Sequence, residues 1–357
     1  MRIVYDVSPL SHPPTGVGYY IHGTLSGLAE AASGEHELIA FAPTSKWGVG
    51  YLQDALSDIP IERRVRVLPF AHAVRTAWSK LGWPPLERFL GPLDAFHYSD
   101  WMYPAQRGGV RATTVHDLVP LRFPELVQGR TRRMHAAKLR HMARECDLVF
   151  CNSRFTAADV VELVGIPADR VRVAYPAADP VFSPAGERAD LGRPYLLSVA
   201  TLEPRKNLGT LLDALELIDP GLALALVGPK GWGGKLRVAH ERVLRLGYVE
   251  REELARLYRG AEAFVYPSLY EGFGIPILEA MASGLPCVVS AHESMDEACG
   301  RAALRVAPTD AEAIAAAASE AISRRGELSA FGLEQAARFS WLEAGRTMLA
   351  GYLEAAA

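Results

Sequence analysis

Apolar residues along the chain fall into short runs separated by turn residues and by longer stretches of helical spacing. Residues 2–7 alternate as a strand, Ser8 to Gly18 follow as a loop, and Tyr19 to Ala32 carry apolar positions at helical intervals. Further strands are expected at Leu38–Phe41, Val65–Leu68, Ala95–Tyr98, Ala112–Val115 and Leu148–Cys151. Asn152 to Asp159 reads as a capped helix start. After Val171–Ala174 a Pro- and Ala-rich run interrupts the pattern, and a second series begins: Tyr195–Ala200, Ala223–Gly228, Val243–Leu246, Ala263–Tyr266 and the run after Gly284. Helical patterns at Glu252–Tyr258, Asp310–Ile322 and from Phe339 to Tyr352 accompany it. Strands alternating with helices imply parallel sheets covered on both faces, with ligands at the carboxyl ends of the strands.

The densest signal is Pro267 to Ser290, P-S-L-Y-E-G-F-G-I-P-I-L-E-A-M-A-S-G-L-P-C-V-V-S. Gly272 and Gly274 allow close backbone approach, Pro276 suits a first helical turn, and the amides that follow make an anion site at a helix start. Phe273 and Ile275 lie in the same loop. Glu271 before the glycines and Glu279 in the early helix would repel phosphate, so hydroxyl groups are their better partners. A diphosphate flanked by hydroxyl-rich groups, the shape of a nucleotide-sugar, satisfies all three features. A lone Gly-x-Gly would be an ordinary α/β turn. Here Glu-Gly-Phe-Gly, Glu279 eight positions after Glu271, and Ala-Met-Ala-Ser-Gly-Leu-Pro together resemble the E-x7-E signature of the retaining glycosyltransferases of family 4.

That resemblance implies the GT-B fold, an α/β architecture of two Rossmann-like doubly wound domains with an interdomain cleft. The boundaries expected are 1–175 for an acceptor-binding domain, 176–193 for a linker, 194–338 for the nucleotide-sugar domain and 339–357 for a helix crossing back to the first domain. Thr201 to Leu208 (T-L-E-P-R-K-N-L) puts Arg205 and Lys206 at a strand-to-helix turn, where a planar fork and a point charge suit a diphosphate. The run resembles the family's G-x-x-x-x-x-K-N segment, with Ala200 where many members have glycine. By the same resemblance Gly228, Lys230, Tyr248 and Val249 line the nucleotide-base pocket, Glu271 meets the transferred sugar and Glu279 the ribose.

In the first half, Gly16 and Gly18 could bring their loop to a phosphate or sugar, and a plain tight turn explains them equally well. His116 and Asp117 end the Thr-Thr-Val strand in H-D-L-V-P; strand capping would account for the histidine, but the family's H-D-x-x-P run places it against the donor sugar, with Asp117 as an orienting partner. Asp100, Trp101, Tyr103 and Asp117 are the acceptor-side candidates. Arg130 to Arg144 is a strongly basic helical stretch, and Trp78, Trp83, Leu86, Phe89 and Leu90 mix with Arg75, Lys80 and Arg88. Both read either as solvated faces or as contacts to a membrane surface, giving a protein peripheral at the inner face of the plasma membrane.

Composition narrows the classes. The 357 residues suit two ordinary domains, and 49% hydrophobic with 22% charged residues is a globular balance. A net charge of −3 speaks against a general nucleic-acid binder. Residues 1–175 hold 20 Lys and Arg against 17 Asp and Glu, and the remainder 18 against 24, so the first half is the basic one. Four cysteines without metal-ligand spacing, and an N-terminus too soon interrupted to be a signal peptide, point to the cytoplasm. The sequence has no D-x-D, the common device for holding a divalent cation on a nucleotide-sugar, so no metal or other cofactor is expected.

The resemblance therefore implies transfer of a hexose from a nucleoside-diphosphate sugar to a hydroxyl of a glycan or lipid-linked acceptor. H-D-x-x-P, L-E-P-R-K-N and E-G-F-G-x-P in one chain resemble bacterial mannosyltransferases of surface polysaccharide biosynthesis, which makes GDP-mannose the leading donor. UDP- or dTDP-sugars, a non-catalytic sugar-nucleotide binder, and a phosphorylase or epimerase of the same architecture are the alternatives.

Overall fold

A computed structural model describes residues 1–99, 102–229, 231 and 240–357. It divides into two units, residues 1–176 with 340–357, and residues 177–339. Residues 177–193, expected as a linker, pack with the second unit: the Ala189 amide donates to the Arg256 carbonyl, and the Arg259 guanidinium donates to the Glu187 carbonyl at 2.7 Å.

The first unit holds β1 (Arg2–Asp6), β2 (Glu37–Thr44), β3 (Glu62–Val67), β4 (Ala95–Tyr98), β5 (Val110–Val115), β6 (Leu148–Cys151) and β7 (Val171–Val173). They pair in parallel in the order β3-β2-β1-β4-β5-β6-β7. The chain winds outward from β1 to β3 and then returns beside β1, so the switch point lies between β1 and β4. β2 and β3 start earlier than the apolar runs suggest, because Glu37, Glu62 and Arg63 join the ladders through their backbones.

The Gly16–Ala32 helix begins three residues earlier than its apolar periodicity implies. Thr15 caps it, its Oγ1 accepting from the Gly18 amide at 3.3 Å, so Gly16 and Gly18 belong to the first helical turn rather than to the preceding loop. Ile21, Leu25 and Leu28 turn one face into the sheet core. On the same core lies the last helix, Trp341–Ala356, capped by Ser340. The two helices meet through glycine. A Cβ on Gly345 would stand 2.1 Å from the Gly27 carbonyl carbon, a clash that permits only hydrogen at this crossing.

The second unit contains β8 (Tyr195–Val199), β9 (Ala223–Val227), β10 (Val243–Gly247), β11 (Ala263–Tyr266), β12 (Cys287–Ser290) and β13 (Ala303–Val306), ordered β10-β9-β8-β11-β12-β13 and again parallel. Its switch point falls between β8 and β11. The Leu208–Leu217 helix buries Leu208, Leu211 and Leu215 on one stripe, and the Ala-rich Ala311–Ser323 helix packs on the same core. Arg325–Ala336 is a further helix that the hydrophobic pattern did not announce; its alternation of small and polar residues gives no clear apolar face.

Candidate nucleotide-sugar site

The chain crosses from β8 into its following helix through a single turn, Pro204–Lys206, and Asn207 then takes a left-handed conformation at φ 52°. Asparagine tolerates that region, and its side chain ties three segments together: its amide donates to the carbonyls of Pro267 and Pro308, and its Oδ1 accepts from Thr210. The Leu269 amide donates to the Arg205 carbonyl at 2.8 Å. Loops at the carboxyl ends of β8, β11 and β13 are thereby locked to one another.

This lock brings together Arg205, Lys206 and Glu271. Glu271 Oε2 accepts from Arg205 Nη1 at 2.7 Å, and Oε1 accepts from Lys206 Nζ at 2.6 Å. The Tyr266 hydroxyl sits between them, accepting from Lys206 at 2.7 Å and donating to Glu271 at 2.9 Å. Glu203 holds the far side of the guanidinium at 3.2 Å. Lys206 and Glu271 are both buried. Burial opposes ionisation of Glu271, but the adjacent Arg205 and Lys206 outweigh it and bring its carboxyl down to about 2. The lysine shifts down as well, because burial and the neighbouring guanidinium disfavour its charge more than Glu271 restores it. A carboxylate bridging two cations occupies the kind of place a bridging diphosphate would take.

Beside the cluster, Gly274 opens the Ile275–Ala282 helix at φ 103°. A Cβ there would come within 2.6 Å of Ile277 Cδ1, the tip of a side chain that can move aside, so it is the positive φ that calls for glycine. Gly272 is buried next to Glu271, whereas the Phe273 side chain packs edge-on against Phe339 at 5.5 Å and belongs to the core. Ile275 is half-buried. Glu279 is buried, accepts from the Tyr258 hydroxyl at 3.1 Å, and has its carboxyl raised by burial against the opposing pull of Arg251.

At the ends of β8, β9 and β10 a hollow of about 340 Å³ is lined by Ala200, Leu202, Gly228, Arg245 and Gly247. Gly228, at φ 138°, donates to the Gly247 carbonyl, and a Cβ there would lie 2.2 Å from the Ala200 carbonyl oxygen. Tyr248 is exposed and donates to Glu250, and Val249 is half-buried. Lys230, Asp100 and Trp101 lie outside the described residues.

In the first unit, His116 stands at the end of β5 with its ring edge-on to Tyr20 at 5.0 Å and its carbonyl accepting from Asn152 Nδ2. Asp117 Oδ1 accepts from the Val119 amide at 3.2 Å, a local turn bond. Tyr103 stacks on His141 at 4.3 Å. Lys138 departs from the basic run to which it belongs, turning inward to donate to the Thr114 carbonyl, while Arg130, Arg132, Arg133, Arg140 and Arg144 stay exposed.

Sequence reasoning missed two groups. Tyr266 and Asn207 shape the cluster, and the K-N pair after a proline was the available signal for the second. Asp6 was the other omission: fully buried at the β1/β4 switch point, its carboxylate accepts from the amides and hydroxyls of both Ser8 and Ser99. An ionisable residue ending an apolar strand marked it.

Two doubly wound units, with a cation–carboxylate cluster at the switch point of the second, define a two-domain α/β architecture. The chain belongs to glycosyltransferase family 4. Residues 14–182 match the model described as Glycosyltransferase Family 4, and residues 193–324 match Glycosyl transferases group 1. The O-antigen chain mannosyltransferase B of Escherichia coli is 31% identical, over 96% of each chain. Among solved structures, sucrose-phosphate synthase from Thermosynechococcus elongatus superposes with TM-score 0.74 at 20% identity, covering 99% of this chain and 98% of that one. HepE from Anabaena, in complex with UDP and glucose, gives 0.71 at 16%, covering 99% of both. These likenesses identify the fold as that of the GT-B glycosyltransferases, and the protein is a glycosyltransferase.

Proposed function

We propose that the protein transfers a hexose, mannose first among candidates, from a nucleoside-diphosphate sugar, GDP-mannose first, to a hydroxyl of a glycan or lipid-linked acceptor, retaining anomeric configuration. The observation that carries this reading is the Arg205–Lys206–Glu271 cluster at the β8/β11 switch point. The mannosyltransferase among the relatives supports the choice of sugar.

In this mechanism the sugar–phosphate bond breaks and negative charge gathers on the departing diphosphate. Arg205, Lys206 and the amides after Gly274 receive it; each preorganised donor can contribute roughly 3 kcal/mol. Glu271 holds hydroxyls of the transferred sugar, Glu279 the ribose, and the hollow beside Gly228 the base. The acceptor hydroxyl attacks on the face the diphosphate leaves, and a diphosphate oxygen takes its proton. No metal takes part.

Thermal shift with GDP, UDP, ADP and dTDP and their sugars tests the donor, since a ligand of the folded state raises apparent stability. Selective stabilisation by GDP and GDP-mannose, with mannose transferred to an acceptor at unchanged configuration and in the presence of a chelator, is expected. Selection of UDP or dTDP replaces the donor. Magnesium-dependent turnover overturns the metal-free step, and no response to any nucleotide overturns the reading.

A further inference from the structure

The hollow at the ends of β8, β9 and β10 holds a side chain that the proposed transfer leaves without a task. Arg245 is the one charged group among the described residues that line it; the other walls are alanine, glycine, leucine and valine. The arginine is exposed, and among the described residues no hydrogen bond or ion pair engages its guanidinium. Its N–H donors are therefore available to whatever fills the hollow.

The backbone is shaped to put it there. β10 is an edge strand, and its pairing with β9 slips at this point: Arg245 stands opposite Leu226, Gly247 opposite Val227, and Leu246 is left over. A bulge of this kind bends the end of a strand and re-aims its side chains, and such bulges gather beside functional sites. Gly247 completes the bend at φ 70°, and its carbonyl accepts from the Gly228 amide at 2.8 Å, which ties the bulge to the floor of the hollow. Across the hollow, the Ala200 and Leu202 wall runs on into the Pro204–Lys206 turn. The hollow and the cation pair Arg205 and Lys206 thus flank one loop.

A guanidinium carries parallel N–H donors in one plane and is best met by two acceptors side by side. Guanine has such an edge, O6 beside N7; adenine sets an amino donor beside N7, and thymine, like uracil, offers O4 alone. We propose that Arg245 reads the O6/N7 edge of guanine and so selects a guanosine-diphosphate donor. The inference rests on reading the hollow as the base pocket, and it assigns the choice of base to one side chain.

Calorimetry of the full chain with GDP, IDP, 7-deaza-GDP and UDP tests it. IDP keeps both acceptors and lacks only the amino group on the far edge, whereas 7-deaza-GDP lacks N7. Wild type should bind IDP within about threefold of GDP, 7-deaza-GDP about fivefold more weakly and UDP at least about tenfold more weakly, in keeping with one bidentate pair. Arg245→Ala breaks no internal bond and should keep the wild-type circular dichroism; it should lose about tenfold for GDP and IDP alike and bind UDP as wild type does. Undiminished GDP binding by Arg245→Ala would overturn the assignment. So would equal losses for GDP and UDP, the mark of a charge felt by any diphosphate. Both results leave the donor reading standing, whereas a wild type that binds no nucleotide would remove the base pocket itself, and one that prefers UDP would remove guanine together with its reader.

Discussion

Lys206 Nζ lies 2.6 Å from Glu271 Oε1, while Arg205 holds the other carboxylate oxygen at 2.7 Å. In the proposed mechanism Glu271 therefore occupies the two cations that the diphosphate would need. There a nucleotide would have to compete with the carboxylate, which on release would turn to sugar hydroxyls. Glu271→Gln removes the competing charge, so GDP affinity measured by calorimetry should rise about tenfold, worth about 1.4 kcal/mol. Turnover should fall at the same time. Unchanged or weaker GDP binding would show that the carboxylate does not compete.

In the proposed transfer, Lys206→Ala acts on the departing charge instead. Arg205 and Tyr266 keep Glu271 partnered, so the fold should survive with a loss of about 1–3 kcal/mol in urea melts. Steady-state turnover should drop about a hundredfold, in keeping with roughly 3 kcal/mol for one preorganised donor. Wild-type turnover would remove Lys206 from the mechanism.

Asp6 anchors the first unit's switch point by accepting from Ser8 and Ser99. Asp6→Ala strands their buried donors and should cost about 3 kcal/mol of stability, several times the cost of Ser99→Ala, in chemical denaturation of each variant. Equal effects would mean that the carboxylate does not unite the two loops.

Much of this architecture was legible because parallel strands buried on both faces leave continuous apolar runs, as at Ala223–Val227 and Ala263–Tyr266. The cluster was legible in part. E-G-F-G and R-K announced charged groups at strand ends, but nothing local says that Arg205 and Glu271, far apart in sequence, pair with each other. The start of the Gly16–Ala32 helix was hidden because glycines read as loop, whereas the Thr15 cap supplies what they lack. Gly27 and Gly345 were illegible for a related reason: a glycine required by a distant backbone looks like any helix-weakening glycine until both helices are seen together.

That crossing yields its own test. A Cβ on Gly27 would fall 1.8 Å from the Trp341 carbonyl oxygen, and one on Gly345 would meet Gly27 itself, so neither position has a flexible neighbour that can yield. Gly345→Val should cost about 3 kcal/mol or more by forcing the last helix off the sheet core. Hydrogen exchange should then show lost protection in Trp341–Ala356. Gly326→Ala, whose Cβ meets nothing within 4 Å, is the matched control and should be neutral or stabilising. Wild-type protection in Gly345→Val would refute the close packing.

The two glutamates of the signature should give opposite pH responses. Glu271 is held at about 2 against an ordinary 4.5, so its folded form binds a proton less readily than the unfolded chain does. Its contribution is therefore complete above pH 4.5 and lost as pH falls from there through about 2, an amount of about 3 kcal/mol at 1.36 kcal/mol per unit. Glu279 is shifted the other way by burial, so the folded chain prefers its neutral form and ionisation toward neutral pH destabilises. In urea midpoints taken from about pH 3 to 8, Glu271→Gln should lose stability at neutral pH and approach wild type in acid. Glu279→Gln should be stabilised at neutral pH, with the gain fading as acid protonates the wild-type residue. Parallel curves for both variants would mean that neither carboxylate titrates as its surroundings dictate.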